Sequence, residues 1–147
     1  MKEFFSIEDL KEQYSESYDL IPVKYTDLRD RGYDIIDKVE IGGVLFVGIN
    51  PSYDETRKGV DTSIVRKSES VGDSDGYNYE PYFGKPKQLC ERLGASEVSH
   101  VDMFSIRCRH QFRVRKMMND FACKAFIEKQ LELFRIVVDG TMKGASL

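Results

Sequence analysis

Hydrophobic positions follow three different patterns along this chain, and each pattern predicts a different element. The continuous run Val44-Leu45-Phe46-Val47 closes at Gly48 and predicts a strand over residues 44 to 48, buried on both faces as in a parallel sheet. A looser set, Val101, Met103, Phe104 and Ile106, predicts a second strand over residues 98 to 106. Met118, Phe121, Ala122, Ala125 and Phe126, followed by Leu133 and Val137, recur at helical spacing and predict one long core-facing helix ending at Asp139-Gly140.

Polar positions place the remaining elements. Ser6 ahead of Glu8 and Asp9 reads as a helix start with acids in the first turn, so a packing helix is expected over residues 7 to 15. Tyr18 to Tyr33 shows no clear period. Tyr53 to Tyr79 is polar and carries Gly59, Gly72 and Gly76, which predicts a long loop of the kind that is either functional or partly disordered. Pro86 opens a helix that runs through Gln88, Leu89, Arg92 and Leu93 and stops at Gly94. The order is that of an α/β domain. A helix as long as the last one is expected to feed a further strand, because so few strands cannot cover a sheet's faces, and after Asp139-Gly140 only Thr141 to Leu147 follow. An apolar face left open in this way would invite a homodimer.

At 147 residues the chain is expected to form a single domain, with residues 1–40 as an N-terminal helical and irregular extension. No apolar run reaches the length of a membrane span and the N-terminus does not read as a signal peptide, so a cytoplasmic location with no membrane partner is expected. Cys90, Cys108 and Cys123 are odd in number and widely spaced, which fits free thiols rather than a disulfide framework or a four-thiolate metal site. No metal and no cofactor is expected. A net charge of −3 offers no general attraction to a polyanion. The segment Arg107 to Lys116 is the local exception: Arg107, Arg109, Arg113, Arg115 and Lys116 occur there without an acid, a patch suited to phosphates or simply a solvated helix start.

Candidate chemistry begins where the first strand breaks. Gly48-Ile49-Asn50-Pro51-Ser52 would set an amide side chain and backbone N–H groups at the carboxyl end of a strand, the edge at which open α/β sheets bind ligands. No Gly-x-Gly-x-x-Gly follows that strand and no Gly-Lys-Ser or Gly-Lys-Thr occurs, which argues against a dinucleotide fold and a P-loop. An asparagine orients water by donating and accepting hydrogen bonds without adding a titrating group. Asp102 and Ser105, near the end of the second strand, would reach the same rim.

The pentapeptide resembles the first motif of the uracil-DNA glycosylase superfamily, in particular its mismatch-specific branch, Gly-Ile-Asn-Pro-Gly, with Ser52 in place of the last glycine. The resemblance extends to Tyr82-Phe83-Gly84-Lys85-Pro86, aromatics ahead of a helix, and to His100-Val101-Asp102-Met103-Phe104-Ser105-Ile106-Arg107, a middle strand running into a basic loop. It implies a three-layer α/β/α fold with a short, mainly parallel central sheet and a monofunctional glycosylase that hydrolyses the N-glycosidic bond of uracil or a related damaged base in DNA. Asn50 would hold the attacking water. Gly48, Ile49, Pro51 and Ser52 would shape the pocket, Phe83 or Tyr82 would stack on the extruded base, and Arg107 would contact phosphate or anchor its loop, with Arg109, Arg113, Arg115 and Lys116 of the basic patch as further nucleic-acid contacts. The family's last motif, a strand followed by His or Asn, Pro and Ser, has no counterpart, since no proline follows Asp102. A non-catalytic nucleobase or nucleic-acid binding module on the same scaffold, a truncated inactive member, and an unrelated α/β domain therefore stand beside the enzyme.

Overall fold

The computed structural model describes residues 6–37, 43–53, 63–66, 69–70 and 84–145. In chain order the elements are α1 (Ile7–Tyr18), a 3-10 turn (Val23–Tyr25), α2 (Thr26–Asp30), β1 (Asp34–Ile36), β2 (Val44–Gly48), β3 (Ile64–Arg66), β4 (Glu69–Ser70), α3 (Gly84–Leu93), β5 (Glu97–Asp102), α4 (Gln111–Met118), a second 3-10 turn (Phe121–Cys123) and α5 (Lys124–Ala145). This is a mixed α/β architecture with short strands.

Helix α1 starts where the sequence places it. The Ser6 hydroxyl accepts from the Asp9 amide at 3.1 Å and the Asp9 carboxylate accepts from the Ser6 amide at 3.3 Å, a reciprocal cap that satisfies two otherwise orphaned donors. The helix runs on to Tyr18, beyond the predicted 15, because Tyr14, Ser17 and Tyr18 continue its buried stripe. That stripe joins Ile21, Tyr25, Leu28, Tyr33, Phe104, Ile106, Val114, Met117, Phe126 and Leu133 in the main core. Residues from the N-terminal extension thus pack with residues from α4 and α5.

The strands form two sheets. Parallel pairing of β1 with β3 makes one, with Asp34 opposite Ile64 and Ile36 opposite Arg66. In the other, β5 is central: β2 runs parallel to it, with Val44 opposite Val98 and Gly48 opposite Asp102, and β4 pairs antiparallel on its far side. Beyond β5, the Asp34 amide donates to Ser105 O at 3.0 Å and Tyr33 bridges Ile106, which ties the two sheets together.

Three expectations need correction. Strand β2 keeps its predicted bounds but is not deeply buried: Val44, Leu45 and Phe46 are half-buried and Val47 is 53% exposed, while Leu45 packs with Val101, Ile36 and residues of α5. The second strand ends at Asp102 rather than 106, because Met103 and Phe104 donate their amides to Gly48 O and Ile49 O and bend the chain around the end of β2. The long helix is two helices separated by a 3-10 turn. Asp120 caps that turn by accepting from the Ala122 amide at 3.0 Å, so Met118 and Phe121 point to solvent while Phe126 and Leu133 are buried. Helix α5 continues past Asp139-Gly140 to Ala145. Helix α3 stops where expected: Gly94 takes a φ of 71°, which glycine adopts without the penalty a Cβ would bring.

Candidate functional site

Two segments far apart in sequence meet at the carboxyl ends of β2 and β5. The Asn50 side-chain nitrogen donates to Pro51 O at 3.0 Å and to Cys108 O at 2.8 Å, and the Cys108 amide returns a bond to Pro51 O at 2.9 Å. Two carbonyls facing that nitrogen fix which end of the amide is which, because an oxygen there would repel both. Asn50 is 4% exposed, and its Oδ1 has no hydrogen-bond partner among the described residues. A buried acceptor in that state costs about 1–3 kcal/mol unless a water or ligand donates to it.

Asp102 closes the neighbouring position. Its Cα pairs with Gly48, and a side chain at Gly48 would collide with the carboxylate and crowd His100, so the glycine here is a matter of space. Asp102 Oδ2 lies 3.5 Å from Arg66 Nη2, while Oδ1 is buried without a hydrogen bond among the described residues, 3.7 Å from His100 Nε2. Arg66 also holds Asp34 through its Nε and donates to His100 O at 3.4 Å. Burial outweighs the nearby guanidinium and pushes the Asp102 carboxyl up to about 6, with Asp34 adding to the rise. The same burial, aided by Arg66, moves the His100 imidazole below its usual value. Near neutrality the pair is therefore a carboxylate beside a neutral imidazole.

On the outer side of the turn, Tyr53 meets two arginines. Arg31 Cζ lies 4.2 Å and Arg107 Cζ 5.2 Å from its ring centroid. The two arginines are also laced together: Arg31 Nη1 donates to Arg107 O at 3.3 Å and Arg107 Nη1 donates to Arg31 O at 3.2 Å. Gly32, at φ 70°, lets the chain turn from Arg31 into β1.

The predicted site residues divide as follows. Gly48, Ile49, Asn50 and Pro51 line the strand end, with Pro51 buried and Ser52 exposed. Arg107 sits against the same turn. Arg113 is occupied by Asp27, which accepts from it at 2.6 and 3.2 Å and whose pKa it lowers. Arg109, Arg115 and Lys116 are exposed. Tyr82 and Phe83 lie outside the described residues.

Sequence reasoning did not find Arg31, Tyr53, Asp34 or Arg66. Arg66 carries no local signal, since only the β1–β3 pairing brings it to Asp34 and Asp102. Tyr53, three residues beyond Asn50 in a strand-end turn, offered a weak cue. Among the described residues, no group of three or more His, Cys, Asp and Glu is arranged to hold a metal, and no helix is long and apolar enough to cross a membrane. No family model, curated protein or solved structure matches this chain.

Proposed function

We propose that this chain handles a nucleobase in the manner of the uracil-DNA glycosylase superfamily, hydrolysing the N-glycosidic bond of uracil or a related damaged base in DNA. The observation that carries the reading is the pinned Asn50 amide, whose N–H groups are committed to carbonyls and whose Oδ1 remains as an acceptor at the carboxyl end of β2. A water donating one hydrogen to that oxygen would hold its lone pair toward an anomeric carbon. As the base departs with the bonding electrons, the water oxygen bonds to the oxocarbenium-like carbon and releases its proton to solvent. The amide orients and does not deprotonate, which suffices because such a transition state needs no strong nucleophile. Packing of α5 with Leu45 and Val101, and of α3 beside β5, supports the three-layer arrangement included in the proposal.

A second reading is favoured by the depth of Asn50: at 4% exposure it fastens the turn, and the scaffold could bind a base without cleaving it. Release of uracil from single-stranded and mismatched DNA separates the two. The enzyme reading expects an abasic product that falls at least 100-fold in Asn50→Ala, within the range for losing one oriented catalytic group. Folded wild-type protein that leaves both DNAs intact at high concentration sinks it and leaves the binding module.

A further inference from the structure

We infer that the outward face of α4 takes a single strand of DNA, with Phe112 stacking on a base and Arg109, Arg115 and Lys116 meeting the phosphates beside it. The choice of DNA rests on the proposed function; the face itself stands on observations away from the Asn50 turn and does not need base excision.

Burial fixes which side of α4 looks outward. Val114 and Met117 are fully buried in the main core, and Arg113 is turned to Asp27 of α2. Phe112, Arg115 and Lys116 lie three and four residues apart on the other side, all exposed, and such neighbours on a helix stand roughly 5–6 Å from one another. Arg109 is exposed just ahead of the helix.

The cations of this face are unpaired. Elsewhere a surface lysine has its acid: Lys11 has Glu8, Lys24 has Asp120, Lys124 has Glu128 and Lys129 has Glu132. The side chains of Arg109, Arg115 and Lys116 make no hydrogen bond or ion pair among the described residues. The sequence supplies the reason, since no acid occurs between Asp102 and Asp120. A chain of net charge −3 thus keeps one helix face positive, and a polyanion is drawn to that face rather than to the molecule at large. Two of the three cations are arginines, whose planar forks match phosphate oxygens.

An aromatic ring stands among them. Phe112 is 65% exposed, and it adds nothing to the core that Val114 and Met117 already fill. The His110 ring supports it, with centroids 5.5 Å apart and planes tilted by 33°. A flat ring flanked by positive charge offers an unpaired base a stacking surface and its phosphates their counterions. In a duplex the base faces are already stacked on one another, so the occupant is a single strand. A membrane surface would need a helix that gives a whole apolar face to lipid, and the apolar face of α4 is spent on the core.

Fluorescence anisotropy of a labelled thymidine DNA 12-mer, titrated with the full-length protein across a salt series, tests the face. Arg115→Gln and Lys116→Gln should each weaken binding about 3- to 10-fold and flatten the plot of log affinity against log salt by about 0.7, the loss of one phosphate contact on a single strand. Phe112→Leu should weaken binding about 10-fold and leave that slope unchanged, because stacking releases no counterion. Phe112→Tyr keeps the ring and should bind like wild type. These side chains lie on the surface, so thermal midpoints should not move. Lys11→Gln removes an equal charge from α1 and should change affinity less than 2-fold.

The face is overturned if wild type does not bind the 12-mer, if Phe112→Leu binds like wild type, or if Lys11→Gln costs as much as Arg115→Gln, which would make the attraction one of overall charge. Binding to phosphatidylserine vesicles but not to the strand would assign α4 to a membrane, and tighter binding of a uridine RNA 12-mer would assign it to RNA; either result also overturns it. Uracil release is scored separately. Protein that binds through α4 but frees no base refutes excision alone, and base release that persists without binding through α4 refutes the face alone.

Discussion

The segment after β5 separates two buried polar clusters that are finished to different degrees. On one side, Tyr18, Ser105, Gln130, Ser17 and Tyr14 form a directed chain. Ser105 Oγ donates to Gln130 Oε1 at 2.8 Å, which leaves it to accept from the Tyr18 hydroxyl at 3.0 Å. Gln130 Nε2 donates to Ser17 Oγ at 2.9 Å, and Ser17 passes its hydrogen to Tyr14 O at 2.6 Å. The Ser105 amide adds a further bond to Gln130 Oε1. On the other side, Asn50 and Asp102 each keep a buried oxygen with no hydrogen bond among the described residues. Both clusters paid the desolvation cost of burial, and one recovers it within the fold. Polar groups that exist to specify the packing are completed by the chain itself, and an incomplete pair at a strand end suits something that arrives later.

The largest expected effect breaks the finished side. Gln130→Leu keeps much of the volume but strands the Ser105 amide and removes the acceptor and donor that join α5 to α1, so unfolding free energy should drop by about 3–5 kcal/mol. Urea denaturation reads it directly, and an unchanged midpoint would mean the network contributes nothing to the fold. Next comes Asn50→Ala: under the proposed base excision its release of uracil should fall at least 100-fold, about 2.7 kcal/mol in the barrier. Its stability loss should stay near 1–2 kcal/mol, the cost of one clasp. Equal losses of activity and folded protein would erase the contrast between the clusters.

Acidity sharpens the comparison further. Burial pushes the folded Asp102 carboxyl up to about 6, above the ordinary 3.8 of an exposed aspartate, so the folded protein holds the proton more tightly than the unfolded chain. That contribution to stability is complete below about pH 4 and is lost as pH rises through about 6. Asp102→Asn lacks it, and its stability relative to wild type should climb by about 2–3 kcal/mol over that window. His100, whose pKa is lowered, changes stability in the opposite direction as pH falls below its unfolded value near 6.5, so the difference between the two proteins is the quantity to measure. A flat difference from pH 4 to 7 refutes the burial-raised carboxyl. The smallest effect lies far from both clusters: Ser6→Ala should cost about 1 kcal/mol by removing the α1 cap, with no change in base release.

The parts legible in the sequence were those fixed by neighbours in the chain. Ser6 with Asp9, the apolar run of β2 and Gly94 all act within a few residues, and each element began or ended where local chemistry put it. The strands β1, β3 and β4 were missed because three-residue and two-residue strands carry almost no periodicity, and the break at Asp120 because the apolar spacing runs on across it. The site shows the same division. Gly48 to Pro51 could be read from a strand breaking into a turn, whereas the Asp34–Arg66 pair and the bonds between Arg31 and Arg107 arise only through contacts between distant segments. Gln130 is one polar position among several on α5, and only the fold sets the Ser105 amide opposite it.

The clasp between Asn50 and Cys108 joins residues 58 apart in the chain, and it can close only once β2 has found β5 in register. Non-local parallel pairing is slow relative to helix formation, so this corner is expected among the last to form and among the first to open. The Cys108 amide, bonded to Pro51 O, is then a built-in clock: its deuterium exchange times the opening of this strand-end corner, with no substrate or label required.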